Sequence, residues 1–186
     1  MNLVLASQSP RRRELLTNAG FPFTVRVRPV EEVRQSGEDP IAYVQRLAKS
    51  KAEAAWEDSA NEVVLGADTV VVLGQEVLEK PLDVSDARRM LTQLSGHEHT
   101  VITGICLRDI QGVEVAFEST RVHFLELNAA DIDAYVATGE PMDKAGAYAI
   151  QGLASRFIDR IEGCYFNVVG LPVSRVARML ETRTGI

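Results

Sequence analysis

Hydroxyl and guanidinium side chains crowd the amino end of the chain, where Ser7–Pro10 runs directly into Arg11–Arg13. Ser9 before Pro10 is typical of a helix start, and the first turn of a helix has unpaired N–H groups with a partial positive charge. Such groups, together with arginine side chains, bind phosphate oxygens well. Three cations at the positively charged end of a helix are unfavourable unless an anion or a carboxylate lies nearby to neutralise them. The segment therefore predicts either a phosphate site or a capped surface helix with solvated arginines.

An acidic residue, Asp68, interrupts the apolar, β-branched segment Val63–Leu73. Burying this carboxylate without a partner would be costly or would force its protonation. A divalent metal, a lysine, or exposure at a strand end in a cleft would each satisfy it. Capping of a neighbouring turn is the structural alternative. Gly66 and Thr69 favour a cleft, because glycine permits close backbone approach and a hydroxyl can hydrogen-bond a ligand.

Small residues and two glycines surround a single amide side chain, Gln151, in the segment from Lys144 to Gly152. A loop of this kind can approach a flat ligand closely, and the amide could read the hydrogen-bonding edge of a base. The alternative is an ordinary turn whose amide bonds to the backbone.

Several isolated polar residues are weaker candidates. His97 and His99 alternate as strand neighbours do, but two histidines without a third placed ligand make a poor metal site, so neither receives a role. Four charged residues are each typical of a solvated surface when considered alone. They are Glu31, Glu32, Lys51 and Lys80.

Composition excludes several classes of protein. The 186 residues are 46% hydrophobic and 25% charged, which is ordinary for one globular domain, with room for two lobes. The net charge of −6 argues against a nucleic-acid partner. The amino end lacks the apolar length of a signal peptide or membrane span, which predicts a cytosolic protein without a membrane partner. Cys106 and Cys164 lack the spacing of a disulfide framework or thiolate zinc site. The chain contains no GxxxxGK[ST], GxSxG or HExxH motif.

Strand and helix patterns follow one another along the chain and must position these groups. The predicted strands are Asn2–Ala6, Phe23–Val27, Val63–Leu73, Val77–Leu78, His99–Leu107, Val113–Phe124 and Arg156–Ile161. Helices are predicted to begin at Pro10, Pro40, Asp83, Asn128 and Pro172, and the first four to end near Ala19, Trp56, Gly96 and Gly139. The polar residues 109–112 predict an antiparallel hairpin. The sum is an α/β or α+β domain with a mixed sheet.

Taken together, the motifs resemble those of the Maf family. They are LASQSPRR, EE near 31, LAKSKA, GADTVV, LEKP, SG at 95, DKAGAYAIQG and VVGLP, in an order that spans nearly the whole chain. The resemblance implies a fold similar to that of the inosine triphosphate pyrophosphatases, with a long twisted mixed sheet, flanking helices and a cleft between two lobes. It also implies a homodimer that hydrolyses a nucleoside triphosphate between the α and β phosphates, with Mg²⁺ or Mn²⁺.

Three positions resemble the subgroup of this family that acts on dTTP and UTP, namely Arg11, Thr69 and Gln151. The 7-methyl-GTP subgroup carries tryptophan, glutamine and the glutamate of SEG at the corresponding places. Tryptophan suits a methylated, cationic purine through cation–π attraction, and glutamate suits its donor edge. Ala149 departs from close relatives, which often have glycine, and its methyl group would tighten the base pocket slightly.

The resemblance also implies roles for the isolated charges. Asp68 and Glu32 would help to hold the metal, and Asp68 would orient or deprotonate the attacking water. Basic and hydroxyl groups would receive the phosphate chain, because phosphoryl transfer depends on positioning and charge balance. The basic groups are Arg12, Lys51 and Lys80, and the hydroxyl groups are those of Ser7 and Ser9.

Two alternatives stay open. One is a pyrophosphatase that prefers modified pyrimidines, such as 5-methyl-UTP or pseudouridine triphosphate. The other is a nucleotide-binding regulator of septum formation, in which hydrolysis is secondary or absent. The charged set Glu32, Lys51, Asp68 and Lys80 is more than simple binding needs, which favours an enzyme.

Overall fold

The computed structural model describes residues 2–184, and in this range seven strands form one mixed sheet. The strands are β1 Asn2–Leu5, β2 Phe23–Val25, β3 Glu62–Leu73, β4 Glu76–Leu78, β5 Glu98–Asp109, β6 Gly112–Phe124 and β7 Ile158–Glu162. Their order is β2-β1-β3-β5-β6-β7, and β4 pairs with β3. β1 is parallel to β2 and β3, whereas β4 and β7 are antiparallel to β3 and β6. The predicted mixed sheet is confirmed.

Helices flank these strands, and all of them except the fifth lie at the predicted places. They are α1 Pro10–Asn18, α2 Pro40–Ala55, α3 Val84–Leu94, α4 Ala129–Ala137, α5 Tyr165–Val169 and α6 Val173–Thr184. Capping side chains explain the starts, since first-turn N–H groups donate to Ser9, Asp83 and Asn128 at the heads of α1, α3 and α4. No helix within residues 2–184 has the length and hydrophobicity needed to cross a membrane.

The structure differs from the predicted elements mainly in the last third of the chain. Three 3₁₀ turns occupy Glu140–Asp143, Ala145–Ala147 and Leu153–Phe157. The last of these takes Arg156 into a turn, so β7 starts later than predicted. α5 was not predicted either. Segments of three to five residues are too short to show a helical period, which is why the sequence pattern missed them.

The described chain divides into two compact units, each made of separated segments. Unit 1 contains the described parts of Met1–Thr69, Thr103–Glu118 and Gly170–Ile186, and unit 2 contains Val70–Ile102 and Ser119–Val169. In unit 1, small buried side chains of α2 pack with β1 and β3, including Val4, Ala48, Ala52 and Val64. In unit 2, aromatic rings form edge-to-face contacts, among them those of Phe124, Tyr135, Tyr148 and Phe157.

Candidate functional site

Asp68 is buried within β3, with 8% of its surface exposed, and it is paired with a lysine. The Nζ of Lys51 lies 2.7 Å from Oδ1 of Asp68 and 3.0 Å from Oε1 of Glu32. The ammonium group therefore bridges two carboxylates. The sequence left a metal, a lysine or exposure in a cleft as possible partners for a buried Asp68. In the structure the partner is a lysine, Lys51. Asp68, Lys51 and Glu32, which were separate candidates in the sequence, form one cluster in unit 1.

A close approach of α2 to β3 brings this lysine to Asp68. A Cβ atom on Gly66 would lie 2.1 Å from the carbonyl oxygen of Ala48 and 2.9 Å from the nitrogen of Ala52, both on α2. Only glycine permits this contact. Gly66 and Asp68 are two apart on a strand and so face the same side, toward the helix that carries Lys51. The sequence suggested that Gly66 allows a ligand to approach the strand closely. In the structure it is α2 that packs closely against Gly66.

Burial raises the pKa of the Asp68 carboxyl group above its ordinary value, and the charge and hydrogen bond of Lys51 only partly oppose this effect. The group therefore holds a proton more strongly than a solvated aspartate does. A carboxylate whose pKa is raised is a stronger proton acceptor than a solvated aspartate.

Arg12 is buried, with 8% of its surface exposed, and it connects two of the three segments of unit 1. Its Nε donates to the carbonyl of Gly170 at 2.8 Å, and its Nη1 donates to Ser7 Oγ at 3.1 Å and to the carbonyl of Ala67 at 2.9 Å. Its Nη2 donates to Thr69 Oγ1 at 3.0 Å. These bonds use four of the five N–H donors of a guanidinium group. Burial lowers the pKa of Arg12, and within residues 2–184 no carboxylate forms an ion pair with it.

The hydroxyl groups predicted to contact phosphate already have protein partners. Ser7 Oγ accepts from the backbone N–H of Ser9 at 3.2 Å, and Ser9 Oγ caps α1 by accepting from the N–H of Arg12 at 3.4 Å. Thr69 Oγ1 lies 2.9 Å from the hydroxyl of Thr103. Thr103 is fully buried in β5 and was missed in the sequence, although a polar residue inside an apolar strand was a usable signal. Ser7, Arg12 and Thr69 thus share one hydrogen-bond network.

The remaining candidates lie elsewhere on the chain. Arg11 is half-buried on α1 in unit 1, whereas Lys80 and Gln151 are exposed and belong to unit 2. Across the part of the chain that the structure describes, neither Lys80 nor Gln151 has a hydrogen-bond or ion-pair partner. The alternative in which the Gln151 amide bonds to the backbone is not observed.

His99 belongs to a buried aromatic cluster in unit 2. Its Nε2 lies 2.8 Å from the hydroxyl of Tyr148, and its ring meets that of Phe124 edge to face. Burial lowers the pKa of His99 to about 3, so the ring stays neutral in the folded protein. The contacts of His99 are those of a packed core residue of unit 2.

The donor set suits a loosely held divalent metal better than a closed metal centre. Among residues 2–184, no group of three or more His, Cys, Asp or Glu side chains could hold an ion. Asp68 and Glu32 offer the carboxylate oxygens that Mg²⁺ prefers, and this ion commonly takes its remaining ligands from water and substrate phosphates. The two carboxylates therefore fit a metal that arrives with a polyphosphate.

Comparison with known proteins covers nearly the whole chain. The profile of the family described as Maf-like protein matches residues 2–183. A protein of Koribacter versatilis named dTTP/UTP pyrophosphatase is 53% identical over 186 residues, which cover 100% of this chain and 96% of that protein. A protein of Anaeromyxobacter dehalogenans with the same name is 53% identical over 183 residues, which cover 96% and 92%.

One solved structure supports the fold independently. The structure of the Staphylococcus aureus Ham1 protein matches with a TM-score of 0.55 and 13% sequence identity, covering 98% of this chain and 100% of that one. At this identity the likeness concerns the arrangement of strands and helices alone. It agrees with the mixed sheet and flanking helices predicted from the sequence.

Proposed function

We propose that this chain, which belongs to the Maf family, hydrolyses dTTP and UTP to the nucleoside monophosphate and pyrophosphate. The observation that carries the proposal is the buried Asp68 carboxylate, bonded to Lys51 at 2.7 Å, in a cluster with Glu32. The raised pKa of Asp68 suits a hydrolase, which needs a proton acceptor for its attacking water. The names of the two relatives support the same reaction.

Asp68 acts on the attacking water by orienting it and accepting its proton. Lys51 restricts the carboxylate through its short hydrogen bond and contributes positive charge beside the reacting phosphates. Arg12 and Lys80 add further positive charge. Charge balance and positioning are the main contributions a protein makes to breaking a phosphoanhydride bond.

Asp68 and Glu32 are the residues that would hold a divalent metal, Mg²⁺ or Mn²⁺. When bound, the metal neutralises phosphate oxygens and polarises the anhydride. The half-exposed side chain of Glu32 makes this ligand accessible to an ion from solvent.

Gln151, Arg11 and Thr69 are proposed to select the base. The carboxamide of Gln151 has both an acceptor and donors, which match the N3–H and O4 of uracil and thymine. These two bases share that edge and differ at C5, so a site that reads the edge accepts both. Gln151 is exposed, and its amide has no hydrogen-bond partner among residues 2–184, which supports this role.

The decisive experiment measures pyrophosphate and monophosphate release from a panel of nucleotides with Mn²⁺ or Mg²⁺. The panel contains dTTP, UTP, dCTP, dATP, GTP, 5-methyl-UTP and pseudouridine triphosphate. We expect equimolar pyrophosphate and monophosphate from dTTP and UTP, little from cytosine and purine nucleotides, and none after chelation of the metal. Faster turnover of 5-methyl-UTP or pseudouridine triphosphate would favour a pyrophosphatase that prefers modified pyrimidines. Tight nucleotide binding without pyrophosphate release would favour a regulator of septum formation.

Cytoplasmic location and a homodimeric state accompany the family resemblance and stay predictions of this proposal. The expected partner is the nucleotide itself, without nucleic acid or membrane. Sedimentation velocity of the purified chain over a range of concentrations tests the homodimer directly, because a dimer has twice the 20.4 kDa mass of one chain.

A further inference from the structure

Gln151 lies on a tight turn whose ends are held from outside. The N–H of Gly152 donates to the carbonyl of Ala149 at 3.0 Å, which makes Ile150 and Gln151 the two corner residues of a β-turn. Ile150 is buried and Gln151 is exposed. The side chain of Ile150 therefore packs into the protein, whereas that of Gln151 extends into solvent.

Tyr135 and Glu140 contact the two ends of this turn. The hydroxyl oxygen of Tyr135 accepts from the N–H of Ala149 at 3.2 Å. The N–H of Leu153, directly after the turn, donates to the two carboxylate oxygens of Glu140 at 3.0 and 3.1 Å. The Tyr135 hydroxyl donates to Glu140 Oε1 at 2.8 Å, which closes the chain of hydrogen bonds. One continuous polar link thus joins both ends of the turn.

Burial and close packing make this link rigid. Tyr135 is fully buried, and burial, followed by its hydrogen bond to Glu140, raises the pKa of its hydroxyl, so the hydroxyl stays a donor. A Cβ atom on Gly152 would lie 2.5 Å from both Glu140 oxygens. A larger residue at position 152 would therefore displace the carboxylate. This contact gives a physical reason for the glycine that follows Gln151.

We propose that Tyr135 and Glu140 are positioning residues that determine base specificity, because they fix the turn that presents Gln151 to the nucleotide. The inference rests on the proposed function and extends it to two residues that do not themselves contact the base. A carboxamide on a fixed turn meets one edge pattern, whereas a carboxamide on a mobile turn adjusts to several. Rigid attachment to α4 and to the 3₁₀ turn Glu140–Asp143 converts a permissive side chain into a selective one.

The test compares Glu140→Ala, Glu140→Gln and Tyr135→Phe with the wild-type chain. For Glu140→Ala and Tyr135→Phe we expect KM for dTTP and UTP to rise at least about fivefold while kcat stays within about twofold, because uniform binding is lost. The preference for UTP over CTP in kcat/KM should fall by at least about fivefold. Glu140→Gln keeps one oxygen that can accept from Leu153 and should fall between wild type and alanine.

A structural readout and a matched control accompany the kinetics. Hydrogen exchange at the amides of Ala149 and Leu153 should accelerate in Glu140→Ala. Asp133→Asn removes an exposed carboxylate of α4 that pairs with Arg88 at 2.6 Å, and it should change neither exchange nor specificity. Tyr135→Phe keeps the buried ring and so tests the link even if Glu140→Ala fails to fold.

Each outcome decides the inference. The positioning role is overturned if both Glu140→Ala and Tyr135→Phe keep the wild-type KM and the wild-type preference for UTP. It is also overturned if the variants lose only kcat, and by the same factor for every nucleotide. If the wild-type chain releases pyrophosphate from no nucleotide, the proposed function fails and the specificity role fails with it. If the wild-type chain is active and the variants behave like wild type, the positioning role is refuted and the proposed function stands.

Discussion

The ammonium of Lys51 and the carboxylate of Asp68 lie 2.7 Å apart, with only 13% and 11% of their side chains exposed. Ion pairs at this depth need excellent geometry to offset the loss of hydration. The pair in this chain is only partly compensated, since the pKa of Asp68 stays above its ordinary value despite the lysine. The fold therefore accommodates the Asp68 carboxylate and leaves it a stronger proton acceptor than a solvated aspartate.

Asp68→Asn should lower kcat at least about tenfold, which is roughly 1.4 kcal/mol of barrier. It should also remove the acidic limb of the pH–rate profile. Burial raises the pKa of Asp68, so the wild-type rate should fall as the pH decreases and the carboxylate becomes protonated. Steady-state kcat and kcat/KM for dTTP across the pH range check both effects.

A matched control for that variant is Asp109→Asn. Asp109 is also a buried carboxylate of unit 1, paired with Arg183 at 2.5 Å. Its replacement should lower the melting temperature but leave kcat and the acidic limb unchanged. Full activity in Asp68→Asn would remove Asp68 from the mechanism.

Lys51→Met should destabilise the fold by about 3–5 kcal/mol at alkaline pH, because removing one partner leaves Asp68 as an uncompensated buried charge. A raised folded-state pKa means that the ionised form is penalised, so the penalty is present above this pKa and disappears below the pKa of the unfolded chain. The gap in unfolding free energy between wild type and variant should therefore narrow as the pH falls.

Urea denaturation at several pH values measures this gap. Lys49→Met is the control, since Lys49 is half-exposed on the same helix and lies 3.8 Å from Glu53. It should cost less than about 1 kcal/mol at every pH. A gap for Lys51→Met that does not depend on pH would show that Asp68 is not the residue that loses its compensation.

Local signals explain why most of the fold was predictable. Ser9 before Pro10 and Asn128 before α4 mark helix starts through side-chain caps that depend on a few neighbouring residues only. The apolar, β-branched run of β3 likewise indicates a central strand from neighbouring residues alone. The 3₁₀ turns around residues 140–157 carry no such signal, because their shape depends on contacts such as that between Glu140 and Leu153.

The site was predictable only in part, for a similar reason. Asp68 could be found because a charge inside an apolar strand is conspicuous. Its partner Lys51, 17 residues away, could not be chosen from sequence, since the pairing depends on how closely Gly66 lets α2 approach. The surroundings of Arg12 were hidden too, because backbone carbonyls such as that of Ala67 have no signature in the sequence.

Glu32→Gln should raise the Mn²⁺ concentration needed for half-maximal velocity by at least about threefold, because one carboxylate ligand is lost. Stability should change by less than about 0.5 kcal/mol, since half of the Glu32 side chain is exposed. Titration of metal into the chelated enzyme measures the first effect. Glu31→Gln is the control, because Glu31 is exposed and makes no hydrogen bond or ion pair within residues 2–184. Equal metal dependence in the two variants would exclude Glu32 as a ligand.

Lys80→Ala should separate activity from stability. Lys80 is exposed and, among the described residues, makes no ion pair, so its loss should leave the melting temperature unchanged. If it neutralises phosphate, kcat should fall at least about tenfold. Lys80→Arg retains the charge and should recover part of the rate. A fully active Lys80→Ala enzyme would show that Lys80 is a solvated surface charge.

Gly66→Ala tests whether the approach of α2 builds the Asp68 cluster. The added Cβ would lie 2.1 Å from the carbonyl oxygen of Ala48, so the helix must move away from β3. Overpacking of this kind costs about 1–3 kcal/mol. Because Lys51 lies on the displaced helix, its hydrogen bond to Asp68 should lengthen, and kcat should fall together with stability.

Gly20→Ala separates this effect from the ordinary cost of replacing a glycine. Gly20 has φ +76° with nothing within 4 Å of an added Cβ, so alanine there would cost only the strain of a left-handed backbone, about 1–2 kcal/mol. Its kcat should equal that of wild type, because Gly20 follows the carboxyl end of α1 and none of the described cluster residues lies within 4 Å of its added Cβ. Denaturation curves and kcat for both variants decide the matter: if Gly66→Ala loses stability but keeps full activity, the distance between α2 and β3 does not control the Lys51–Asp68 pair.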